Sequence, residues 1–186
     1  DATSEWKQHD HMFDACGVEA FAPGAKIYDD AVLEEWIDEI RSLPLRLKAE
    51  LYGLEDDILD TPYREGSWTV RQIVHHLGDS HLNALTRFKL ALTEDNPTIK
   101  PYDEKRWAQL GDYETVSIKD GLDFIKIIHR KWVAVLETMK PEDFKRTLIH
   151  PEGRDDYPND LFRITGMYAW HGNHHLAHIQ LVTQNK

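Results

Sequence analysis

The chain has 186 residues, of which 41% are hydrophobic and 30% charged, and this balance favours a single globular domain with a buried core. The 33 acidic residues outnumber the 22 basic ones, for a formal net charge of −11, so nucleic acid is not an expected partner. The densest basic run, residues 129–131, is interpreted as a solvated helix face. No apolar run approaches the roughly 20 residues that a membrane-spanning helix needs.

The N-terminal segment predicts neither a signal peptide nor a packed element. Residues 1–10, DATSEWKQHD, contain no basic patch and no apolar stretch. The single cysteine, Cys16, cannot form an intrachain disulfide, which favours a reducing compartment. We therefore expect a cytoplasmic protein. Residues 1–28 lack a sustained hydrophobic period and are predicted to form an arm or loop ahead of one domain at residues 29–186.

Four amphipathic helices are predicted in that domain from apolar residues spaced three or four apart. They cover about residues 29–52, 70–92, 117–140 and 159–184. Pro44 falls inside the first helix and should kink it. Thr69 with Gln72 forms a capping box at the start of the second, and Ser117 with Asp120 opens the third. Four long helices without strand-like alternation predict an all-α antiparallel four-helix bundle.

The connection between the second and third helices is long for a compact domain, which is typical of functional loops. It contains three aromatic residues, Tyr102, Trp107 and Tyr113. These side chains either anchor the loop to the bundle or form a lid over a site. The sequence leaves both alternatives open.

The fourth helix carries four of the chain's eleven histidines in WHGNHHLAH, residues 170–178. Successive residues of a helix are about 100° apart, which places His171 and His175 together in the middle of the apolar stripe. His174 lies about 100° away on the flank, and His178 about 60° away at the border of the stripe. Two buried imidazoles one turn apart both need a polar partner, and one metal ion can serve both. Core histidines without a metal are the alternative.

The second helix supplies a third candidate ligand. His76 lies roughly 120° from the middle of the apolar stripe, on a polar strip that is typical of a site between helices. The strip also contains Ser80, Asn83 and Arg87. His81 falls inside the apolar stripe and is either a core histidine or a fourth member of the pocket. His75 and Asp79 point away from the stripe and are predicted to be exposed, with His75 at a subunit contact as the alternative.

Three neutral imidazoles, from His76, His171 and His175, would leave one coordination position open, as in catalytic zinc sites. Zinc and nickel suit imidazole ligands and Fe²⁺ or Mn²⁺ are further candidates, whereas Mg²⁺ and Ca²⁺ prefer oxygen. One divalent transition metal per chain would activate water, or a small thiol as co-substrate, for attack on an electrophilic small molecule.

Five residues are candidates for assisting this chemistry. His178, His81 or His150 would act as general acid or base, and Arg87 or Asn83 would orient an anionic group.

Four motifs resemble, in order, those of the DinB/YfiT family, and the YfiT branch most closely. They are WTVRQIVHHLGDSH at 68–81, PYDEKRW at 101–107, HPE at 150–152 and YAWHGNHH at 168–175. The resemblance covers about residues 29–182. It implies a four-helix bundle, usually a homodimer, with one metal bound by His76, His171 and His175. It also implies an enzyme, either a metal-dependent hydrolase or a bacillithiol S-transferase. A non-catalytic metal- or ligand-binding bundle is the alternative.

Overall fold

The computed structural model of the protein describes residues 28–151 and 159–184, so nearly all of the predicted N-terminal arm lies outside it. Within these residues the chain forms helices and no β-strand. The long helices are α1 (Asp30–Glu50), α3 (Val70–Thr93), α6 (Ile118–Thr138) and α7 (Leu161–Thr183). The short helices are α2 (Asp56–Leu59), α4 (Glu104–Trp107) and α5 (Asp112–Thr115), and a 3-10 turn covers Asp143–Lys145. Among the described helices, none has the length and apolar character to cross a lipid bilayer.

Each long helix begins at a side chain that accepts a hydrogen bond from a backbone N–H of the first turn, which has no partner inside the helix. The capping residues are Asp29, Thr69, Ser117 and Asp160. At α3 the predicted capping box is present, because the Gln72 side chain also accepts from the Thr69 backbone N–H. These local signals explain why the predicted helix starts are confirmed to within two residues.

The four long helices form the bundle that the sequence predicts. α1 packs mainly on α6 and α7, and α3 packs on the same two helices, so α1 and α3 occupy opposite corners. Two of the neighbouring pairs run antiparallel as predicted, but α1 with α7 and α3 with α6 run parallel. The contacts Arg46–Asn173 and Glu50–Thr183 show that α1 and α7 run parallel. His81–His129 and Phe88–Trp132 show the same for α3 and α6. His76–His175 and Arg87–Tyr168 show that α3 and α7 run antiparallel. Long connections between the helices make this arrangement possible, because short ones would join antiparallel neighbours.

The core is divided into two apolar clusters with a polar layer between them. One cluster is built around Trp132 and Phe88, and the other around Leu47 and Ile73. Buried histidines of α3 and α7 lie in this layer, among them His81, His171 and His175. The fold therefore places imidazoles in the middle of the bundle, where their ring nitrogens need partners from the protein or from a bound ion.

Gly172 lies where α1 and α7 approach each other closely, next to His171. A Cβ atom at Gly172 would lie 2.5 Å from Cδ2 of Leu43, a buried side chain. We expect Gly172→Ala to lower the free energy of unfolding by up to about 2 kcal/mol. The cost of overpacking, about 1–3 kcal/mol, equals or exceeds the gain of about 1 kcal/mol from replacing a helical glycine. Urea unfolding measures the difference.

Gly111 provides the matched control for this substitution. Its Cβ would meet no atom within 4 Å, and its φ of −64° suits any residue. Gly111→Ala should leave the free energy of unfolding within about 0.5 kcal/mol of the original chain. Equal stability of the two variants would show that the helices can separate at Gly172 without cost.

Candidate metal centre

Three histidines from two helices meet in the polar layer. His76 comes from α3, and His171 and His175 come from successive turns of α7. Each offers one ring nitrogen, and these three atoms all lie within 4.8 Å of one another. All three side chains are buried, His76 and His175 at 1% exposure and His171 at 7%. The three side chains that the angular count and the resemblance selected are thus close together in space.

The donor set fits a divalent transition metal. Nε2 of His76 and Nε2 of His171 are 3.3 Å apart. Two nitrogens held about 2.0–2.1 Å from one tetrahedral zinc ion are roughly 3.3 Å apart, so the pair needs little rearrangement to bind one. Burial, and then the neighbouring histidines His171 and His76, lower the pKa of His175 well below its ordinary value. A neutral imidazole has the lone pair that a metal requires.

Two of the predicted acid–base residues lie directly behind candidate ligands. Nε2 of His81 is 3.1 Å from Nδ1 of His171. Nδ1 of His178 is 3.4 Å from Nδ1 of His175, and its ring stacks on Tyr63 at a centroid distance of 4.1 Å. Both histidines are fully buried. This placement suits support of the ligands, and their role as acid or base stays a prediction.

The other three predicted helper residues are Arg87, Asn83 and His150, and the hydrogen bonds described for the first two are to Tyr168 and to the backbone of α3. Nη1 of Arg87, which is buried, donates a hydrogen bond of 2.8 Å to the Tyr168 hydroxyl, and Tyr168 packs edge-on against His171. Nδ2 of Asn83 donates to the backbone carbonyl of Asp79 at 2.9 Å within α3. His150 is partly buried in the loop before α7. Their substrate-orienting or acid–base roles stay predictions.

Two histidines lie deeper than the sequence predicted. His174, placed on the flank, is fully buried, because α7 packs against both α1 and α3. Its ring stacks on Trp170 at 4.7 Å and lies 4.1 Å from the ring of His178. The solvated-face interpretation of residues 129–131 is wrong for His129, which is 2% exposed because α6 packs against α1 there. Its two neighbours in the run are exposed.

Asp79 and His75 are only partly exposed, which corrects the expectation of solvated side chains. Tyr113 in α5 donates a 2.7 Å hydrogen bond to Asp79, and His75 Nε2 lies 3.2 Å from the carbonyl oxygen of Val116. Burial raises the pKa of Asp79 and lowers that of His75. Since α5 covers this side of α3, the loop aromatic Tyr113 is an anchor.

An aromatic side chain that the sequence analysis did not assign to the site borders the candidate ligands. The Trp68 ring lies 4.5 Å from the His76 ring and 6.2 Å from that of His175. Trp68 is the residue just before the Thr69 cap, so its position follows from the start of α3. No pattern in the sequence indicated that Tyr63 stacks on His178, because Tyr63 lies in the irregular connection before α3.

Comparison with known proteins identifies the family. A model described as the DinB superfamily matches residues 39–179. A protein of Oceanobacillus iheyensis named "Putative metal-dependent hydrolase OB0782" is 48% identical over 155 residues, which are 83% of this chain and 88% of that protein. "Putative metal-dependent hydrolase YfiT" of Bacillus subtilis is 44% identical over 146 residues, 78% of this chain and 81% of that one.

A solved structure agrees with these matches. It is that of YfiT from Bacillus subtilis, described as "a probable metal-dependent hydrolase with an unusual four-helix bundle topology". The TM-score is 0.82 at 41% identity, and the match covers 86% of this chain and 90% of that one. The two parallel helix pairs found here depart from a simple up-and-down bundle. With most of the chain matched in sequence and in fold, the protein belongs to the DinB superfamily and is a homologue of YfiT.

Proposed function

We propose that the protein is a metal-dependent hydrolase whose site is formed by His76, His171 and His175. The observation that carries the proposal is the convergence of three buried imidazole nitrogens within 4.8 Å. Three protein ligands leave a position open to another molecule, which is the arrangement of catalytic zinc sites. The names of the relatives point in the same direction.

The chemistry divides between the bound ion and the residues around it. A divalent transition metal, when bound, polarises an electrophile and lowers the pKa of a water molecule toward neutrality. The three imidazoles bind the ion, and His81 and His178 contact two of them from behind. Trp68 packs over His76 and limits the access of bulk water to that ligand. The substrate in this proposal is an electrophilic small molecule.

Metal-dependent turnover tests the proposal. The purified full chain is stripped of metal and reloaded separately with Zn²⁺, Ni²⁺, Fe²⁺ or Mn²⁺. Each preparation is then assayed with chromogenic carboxylic esters, amides and phosphate diesters. We expect hydrolysis that requires one equivalent of metal and that proceeds without an added thiol.

Two results would overturn the proposed hydrolase. Conjugation of an electrophile that requires an added low-molecular-weight thiol would identify a transferase. One equivalent of bound metal without turnover of any substrate would identify a metal-binding module. The homodimer expected from the sequence stays a prediction, which size-exclusion chromatography with light scattering measures directly.

A further inference from the structure

A continuous line of imidazoles crosses the bundle from α1 to the candidate ligand His171. It begins at the backbone carbonyl of Ile40 and passes through His129 of α6 and His81 of α3. The three successive distances are 2.6 Å from the carbonyl oxygen to Nδ1 of His129, 2.7 Å from Nε2 of His129 to Nδ1 of His81, and 3.1 Å from Nε2 of His81 to Nδ1 of His171. Both intermediate histidines are almost completely buried, so water does not compete for these contacts.

Pro44 explains why a carbonyl in the middle of a helix can accept this hydrogen bond. In an α-helix the carbonyl of residue 40 normally accepts from the N–H of residue 44. Pro44 lies inside α1 and has no N–H, so the carbonyl of Ile40 lacks its intrahelical donor. A carbonyl buried in this way requires a donor from elsewhere, and His129 lies in position to provide it.

The carbonyl determines the direction of every hydrogen bond in the line. A carbonyl oxygen only accepts, so Nδ1 of His129 carries the hydrogen. In a neutral imidazole the other nitrogen then accepts, which makes Nδ1–H of His81 the donor to His129. By the same step Nε2 of His81 accepts from Nδ1–H of His171. The reverse order would place a lone pair of His129 against the carbonyl oxygen at 2.6 Å.

These hydrogen-bond directions hold when the two intermediate rings, His129 and His81, are neutral. Burial lowers the pKa of His129 to about 4, and the hydrogen bond to Ile40 opposes that shift only in part. His81 is 0% exposed, and the hydrogen-bond contacts that the structure describes for its ring are with two other imidazoles and no carboxylate, so a charged ring would have no counter-ion there. Both rings are therefore neutral at pH 7, and each has one donor and one acceptor nitrogen.

We propose that His81 and His129 are positioning residues that hold His171 in its Nδ1–H tautomer, with the carbonyl of Ile40, which has no intrahelical donor, as the fixed end of the line. In that tautomer the lone pair of His171 is on Nε2, the atom that lies 3.3 Å from Nε2 of His76. The tautomers of the three rings follow from the hydrogen bonds and from the burial of the two intermediate rings. Their consequence for metal binding rests on the function proposed above.

Nitrogen NMR of the metal-free chain tests the tautomers without reference to activity. Long-range proton–nitrogen correlation spectra of the ¹⁵N-labelled full chain distinguish ring nitrogens that carry hydrogen from those that carry a lone pair. Single substitutions assign the three rings. We expect hydrogen on Nδ1 and a lone pair on Nε2 in His129, His81 and His171 at pH 7. Hydrogen on Nε2 of His81 or His171, or averaging between the two tautomers, would overturn the proposal.

A pair of substitutions at His129 separates positioning from packing. His129→Gln keeps a donor and an acceptor, whereas His129→Phe fills the space with neither. In the Phe variant we expect the two nitrogens of His171 to average and zinc affinity, measured by chelator competition, to fall about tenfold. The Gln variant should retain the Nδ1–H signal of His171. If His171 keeps a fixed Nδ1–H tautomer in a folded His129→Phe variant, then His129 does not determine that tautomer and the proposal is wrong for His129.

The two proposals fail in different ways. If the metal-free chain has the stated tautomers but binds no Zn²⁺, the proposed function is wrong and the positioning of His171 stands. If it binds one equivalent of Zn²⁺ while His171 averages between tautomers, the positioning is wrong and the metal site stands.

Discussion

Replacement of His76 or His175 by alanine is expected to abolish stoichiometric metal binding. Each substitution removes one of the three nitrogens that lie within 4.8 Å of one another and leaves two ligands. Apparent binding free energies of four-ligand structural zinc sites, about 10–16 kcal/mol, correspond to roughly 3 kcal/mol for one ligand. We therefore expect affinity to fall by at least about a hundredfold. Elemental analysis of the purified variants and chelator competition measure the loss.

His75 provides a matched control for His76. It is the adjacent residue on α3, but its Nε2 lies 3.2 Å from the carbonyl oxygen of Val116, on the side of the helix that α5 covers. His75→Ala should purify with the same metal ratio as the unmodified chain. Metal retained at one equivalent after both ligand substitutions, or lost equally in the control, would be incompatible with the proposed centre.

The bundle and the three candidate ligands could be predicted because both depend on local periodicity. The capping side chains determine where each long helix starts. A rotation of about 100° per residue is enough to place His171 and His175 on one face of α7, and to separate His76 from the apolar stripe of α3. These statements concern one helix at a time, and they do not depend on the order in which the helices pack.

The surroundings of the ligands could not be predicted in the same way, because they depend on which helices are neighbours. His129 sits in a basic run, and only the packing of α6 on α1 brings it to the carbonyl of Ile40. The flank of α7 that holds His174 is buried because helices pack on both of its sides. Pro44 was interpreted as a kink, although the residue four positions before a helical proline is also a candidate free acceptor.

The largest effect on stability is expected at Trp132, a fully buried side chain beside the line of histidines. Its ring packs edge-on against Phe88 and Tyr168, each at a centroid distance of 5.5 Å, and against His81 at 5.7 Å. Trp132→Ala leaves a cavity that these rings cannot fill, so we expect the free energy of unfolding to fall by about 3–5 kcal/mol. Chemical denaturation measures this change.

Two further substitutions separate the loss of packing at Trp132 from general effects on α6. Trp132→Phe keeps an aromatic ring in the same place and should cost clearly less than the alanine variant. Ile127 lies on the same helix but is 58% exposed, so Ile127→Ala should change the free energy of unfolding by less than about 0.5 kcal/mol. If Trp132→Ala cost no more than Ile127→Ala, the rings around Trp132 would have closed the cavity. The line of histidines would then depend on its hydrogen bonds and not on the packing around it.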